Sequence, residues 1–156
     1  MTVKHPATHL RVRFALVMFS LLTLVVSGCS VKFISDYDEV TDKSATALHK
    51  NVERFLLKME ATAGSSAGTY RKNKTFYDEA KVALSSMRMR AKAIPNNRLT
   101  VQHIELLEKN IDALRTLHEK RGPKGLAKPL VDPVRDALDA QFTAIIKLEL
   151  AKKRGE

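Results

Sequence analysis

The chain has 156 residues, room for one domain of ordinary size, and a net charge of +10 from 27 basic and 17 acidic side chains. Its single cysteine excludes an internal disulfide framework. The basic excess favours acidic partners or anionic surfaces.

Taken in chain order, the first 28 residues stand apart from the rest. Residues 2 to 13 hold Lys4, Arg11 and Arg13 and no acid, and Phe14 to Val26 is an uncharged apolar run of 13 residues. A membrane-spanning helix needs about 20 such residues, so the run suits the apolar core of a signal peptide better than a permanent anchor. Val26-Ser27-Gly28-Cys29 follows at once. Small residues at 27 and 28 let a peptidase take the backbone into its cleft, and the thiol at 29 offers a site for acylation.

This segment resembles the lipobox of bacterial lipoproteins, an aliphatic residue and two small ones before a cysteine. The resemblance implies cleavage between Gly28 and Cys29 and a diacylglycerol on Cys29, with palmitate-type fatty chains there and often on the new amino terminus. Lipidation also accounts for a lone thiol in an exported chain. Stable anchoring takes more than one acyl chain, at about 0.8 kcal/mol per buried methylene. In lipoproteins of two-membrane bacteria an Asp after the cysteine favours retention in the inner membrane. Ser30 resembles the exported pattern and implies the periplasmic face of the outer membrane; a one-membrane host would place the protein on the cell exterior.

After Cys29, 24 basic residues remain against 17 acids, a net of +7. Residues 29 to 35 read as a short tether. Residues 36 to 156 carry few glycines and prolines outside short clusters, and apolar positions recur at three- and four-residue steps, the mark of amphipathic helices. The first helix is expected over about 36 to 62, with Ala45, Leu48, Val52, Phe55, Leu56 and Met59 inward and Ser35 and Asp38 as a capping box. Gly64-Ser65-Ser66-Ala67-Gly68 ends it. A second helix is expected over about 70 to 93, with Tyr77, Ala80, Leu84, Met87, Ala91 and Ile94 inward, stopped by Pro95-Asn96-Asn97. Thr100 is expected to cap a third, about 101 to 121, with Ile104, Leu107, Ile111, Leu114 and Leu117 inward and Gly122-Pro123 closing it. Asp132-Pro133 reads as the start of a fourth, with Val134, Leu138, Phe142, Ile145 and Leu148 buried. Short connections between such helices predict an all-α, antiparallel up-down four-helix bundle.

Candidate chemistry is sparse. The Gly64 to Gly68 segment matches the G-x-S-x-G pattern of serine hydrolases, which depends on a strand-to-helix elbow; between two helices it reads as a linker. Asp36, Asp38 and Asp42 lack the remaining ligands of a calcium loop and read as acids suited to a helix start. His49, His103 and His118 show no HxxxH or Cys/His spacing, so no metal or cofactor is expected, and no catalytic residue is assigned.

The basic residues are more informative. Lys74, Lys81 and Arg88 recur every seven positions along one side of the second helix, Lys92 follows, and Lys120, Arg121 and Lys124 crowd the next basic stretch. This surface suits an acidic envelope partner: a protein face, phospholipid head groups or a cell-wall polymer. Nucleic acid is not expected in that compartment. Ser35-Asp36-Tyr37-Asp38 and the general layout are similar to those of a group of small proteobacterial lipoproteins with no assigned activity, a likeness that implies the compartment and no chemistry. The sequence therefore points to a non-enzymatic, membrane-anchored interaction module, with a bundle that holds a lipid or other amphiphile between its helices as the alternative.

Overall fold

In the computed structural model, which describes residues 34–155, four helices of similar length follow one another. We label them α1 (Glu39–Thr62), α2 (Tyr70–Ala93), α3 (Arg98–Arg121) and α4 (Lys128–Arg154). One-turn 3₁₀ helices at Ser66–Gly68 and Gly122–Lys124 lie in the first and third connections. No strand occurs among the described residues. Each helix packs against its two neighbours in ring order, α1 on α2, α2 on α3, α3 on α4 and α4 back on α1. The expected all-α up-down bundle is the observed fold. None of the described helices is long and apolar enough to cross a membrane. The leader, with the lipobox residues Gly28 and Cys29 and the sorting position Ser30, lies outside the described residues.

The apolar stripes read from the sequence form the core. Leu56, Met59, Leu84, Ile104, Leu107, Leu114, Leu138, Phe142 and Ile145 are all sealed from solvent. Each contributes roughly 1.5–3 kcal/mol through removal of apolar surface from water. Val134 and Leu148 on α4, Leu117 on α3 and Ile94 just past α2 are only half-buried, at the margins of their stripes.

Three helix starts differ from the sequence expectation. In the first two, the side chain expected to cap its own helix bonds instead to a residue distant in the chain. Helix α1 begins at Glu39, three residues late, and Ser35 forms no capping box with Asp38; its hydroxyl donates to Asn97 Oδ1 at 2.9 Å. Helix α3 begins at Arg98, so Thr100 lies within the first turn, where its hydroxyl donates to Glu149 Oε1 at 2.9 Å. Helix α4 begins at Lys128, four residues before Asp132. Pro129 occupies its first turn and Pro133 lies inside the helix. The N–H groups of Leu130 and Val131 both turn back to the Ala127 carbonyl, and Val131 is buried, so the apolar face starts a turn earlier than Pro133 suggests.

Candidate functional site

The up-down topology gives the bundle two ends of different character. At one end the start of α1, the end of α2, the start of α3 and the end of α4 converge, and the chain arrives there through residues 34–38. This entry is clamped. The Ser35 N–H donates to the Asn96 carbonyl at 3.2 Å and the Asp38 N–H to Glu149 Oε2 at 3.1 Å. Asp38 receives Arg90 Nε and Nη2 at 2.7 Å each and the Thr41 hydroxyl at 2.6 Å. The Arg90 guanidinium, with Thr41 adding to it, holds the Asp38 carboxyl down at about 2.

Behind the clamp sits a buried ion pair. Glu149 is 0% exposed, and Lys152 Nζ meets its Oε1 at 2.6 Å. The same ammonium donates to Asn97 Oδ1 at 2.7 Å and Thr100 Oγ1 at 2.8 Å, so all three of its protons are placed. A buried charge is tolerable only when its partners are this complete. Neither Glu149 nor Lys152 is among the residues singled out from the sequence. The step of seven from Phe142 to Glu149 was the available signal, since it puts Glu149 on the buried stripe.

At the opposite end the two long connections are laced together. The Gly64 N–H donates to the Lys124 carbonyl at 3.1 Å. A side chain at Gly125, whose φ is +59°, would place Cβ 2.7 Å from the Gly68 carbonyl oxygen. His118, fully buried, spans the gap. Its Nε2 donates to the Gly68 carbonyl at 2.8 Å, which leaves Nδ1 to accept the Tyr77 hydroxyl at 2.9 Å. Burial lowers the His118 pKa. Its position four residues after Leu114 extends the inward stripe of α3, the clue that would have revealed it.

The basic residues singled out in the sequence fall into three settings. On α2, Lys74 pairs with Asp78 at 3.2 Å, Arg88 with Glu108 of α3 at 3.1 Å, and Lys92 with Glu105 of α3 at 3.0 Å. Lys81 lines a groove between α2 and α3 that also holds Arg88, Glu108, Asp112 and Arg115, a mixture of both signs. Much of that stripe's charge is thus compensated across the helix pair. Lys120 and Lys124, by contrast, stand exposed at the laced end, beside the exposed Arg71 and Lys72 at the start of α2. Arg121 is half-buried there, its Nε 3.4 Å from the Gly125 carbonyl. Lys74 and Lys92 lie about 27 Å apart along α2, at 1.5 Å per residue, so the seven residues do not form one surface.

Among the described residues, the centre of the bundle is filled by packed side chains. Phe55, Met59, Met87 and Phe142, whose spacing would line a central void, are at most 5% exposed within the packed core. Phe55 stacks on Phe76 with ring centres 3.8 Å apart. Comparison of the chain with known protein families, with curated proteins and with solved structures finds nothing that matches it.

Proposed function

We propose that this protein is a lipid-anchored, non-enzymatic module of the bacterial cell envelope, held through Cys29 at the periplasmic face of the outer membrane, which presents a basic surface to an acidic partner. The observation that supports this reading best is the clamped entry at residues 34–38 set against the exposed cations at the other end. Only Cys29 to Phe33 separate the acylation site from the clamp. At about 3.3 Å per residue, five residues span roughly 17 Å, so the entry end stays close to the lipid surface. Helices of 24 residues are about 36 Å long, so a bundle standing upright on its tether carries Arg71, Lys72, Lys120 and Lys124 on the side away from that membrane.

In this arrangement the anchor and the basic surface are separated by the length of the bundle. Acyl chains on Cys29 supply residence, and the far end supplies contact with anionic groups in the envelope. The test is mass spectrometry of the protein purified from its native membrane, with the Cys29→Ala variant fractionated in parallel. A mature chain that begins at Cys29 and carries fatty acyl groups is expected, together with loss of the variant from the membrane fraction. An intact leader, or a mature chain with a bare thiol, overturns the reading.

A further inference from the structure

The middle of the α1–α4 seam holds a second polar cluster that the anchoring reading does not use. His49 and Glu53 lie one turn apart on α1, and Asp139 faces them from α4. His49 Nε2 is 2.8 Å from Asp139 Oδ1. One ligand atom from each of the three residues lies within 4.8 Å of the other two. The imidazole is steadied from below by Phe142, with ring centres 5.0 Å apart. Beside it, Arg135 binds Glu53 Oε2 at 3.3 Å, Glu60 Oε1 at 2.6 Å and Asp132 Oδ1 at 3.2 Å.

Two features of this cluster are unresolved by its own contacts. Glu53 Oε1 is shut off from solvent and has no hydrogen-bond donor among the described residues. A carboxylate oxygen left unpaired away from water is unfavourable until a donor or cation meets it. The charges also fail to balance. Glu53, Glu60, Asp132 and Asp139 stand against Arg135 and Lys128, which reaches Asp132 at 3.2 Å, so two negative charges are left over when His49 is neutral.

We infer that His49, Glu53 and Asp139 form a site for a divalent transition-metal ion, zinc in the first instance, that staples α1 to α4. An imidazole with two carboxylates is a borderline N/O donor set that suits zinc, whereas calcium and magnesium favour all-oxygen shells. Zinc bonds of about 2.0–2.2 Å bring ligand atoms to within roughly 3–4 Å of one another. The half-exposed carboxylates of Glu53 and Asp139 close that distance by rotamer adjustment. The metal takes the place of the His49–Asp139 hydrogen bond, the ring proton moves to Nδ1, and water fills the fourth position. Arg135 then acts as the outer partner that orients Glu53 through Oε2.

The test is calorimetric titration of the full-length chain, metal-free and in detergent, with zinc chloride alone, and with thermal melts at rising zinc. One ion per chain is expected, with Kd of about 10 µM or tighter and a melting temperature that climbs with zinc concentration. His49→Ala and Asp139→Asn, each checked for helical content, are expected to weaken binding roughly tenfold or more. This separates the seam from His5 and His9 of the leader. Magnesium at equal concentration is expected to leave the melt unchanged. No saturable zinc binding below about 1 mM, or wild-type affinity in either folded variant, overturns the site.

Discussion

Asp38 illustrates how far a residue's role depends on its distant neighbours. Its place before an apolar run marks it as a helix-start acid, yet its main partner, Arg90, lies 52 residues away. The Arg90 bridge lowers the Asp38 carboxyl from its ordinary value of 3.8 to about 2. A depressed carboxyl stabilises the folded state above its unfolded pKa, and that stability is lost as pH falls from about 4 to about 2. His118 works in the same direction in a higher window. Its lowered pKa means that protonation favours the unfolded chain, so stability begins to fall as pH drops below about 6.5. Urea unfolding across pH 7.5 to 2 is expected to show both losses, and Asp38→Asn is expected to remove the lower one, worth on the order of 2 kcal/mol. An unchanged acid limb in Asp38→Asn would show that the bridge carries no such stability. Neither residue's partner was legible in the sequence, because both bonds cross between helices.

At the level of elements, the inward stripes were readable and the boundaries were not. A stripe follows from local periodicity, which the helix pitch imposes on any buried face. A boundary depends on which acceptor a short polar side chain finds, and Ser35 and Thr100 find theirs on other helices. The connections are set by a similar competition. Gly64 and Gly125 both have positive φ, at +77° and +59°, but open space surrounds the first while the Gly68 carbonyl presses on the second. Gly64→Ala is therefore expected to cost only the left-handed backbone penalty, about 1–2 kcal/mol. Gly125→Ala adds an overpacking cost of about 1–3 kcal/mol by forcing the laced connections apart. Paired urea denaturation curves check the difference. Equal losses in the two variants would mean that the connections give way freely.

For the molecule as a whole, placement of charge matters more than its sum. If the laced end is the contact surface, reversing Arg71, Lys72, Lys120 and Lys124 to Glu should weaken retention on immobilised poly-glutamate about tenfold or more near physiological salt. Reversing Lys74, Lys81 and Arg88 is expected to do less, because Lys74 and Arg88 already answer to Asp78 and Glu108. A larger effect from the second set would move the surface to the side of α2. The sequence by itself determined four amphipathic helices, their inward residues and their up-down order, because periodicity and short connections are local properties of the chain. Only the tertiary structure decided that Glu149, Lys152 and His118 are core residues, that the stripe on α2 is compensated, and that His49, Glu53 and Asp139 meet. Those outcomes turn on which helices become neighbours and at what register, and hydrogen bonds and ion pairs between them act over a few ångströms that sequence spacing does not record.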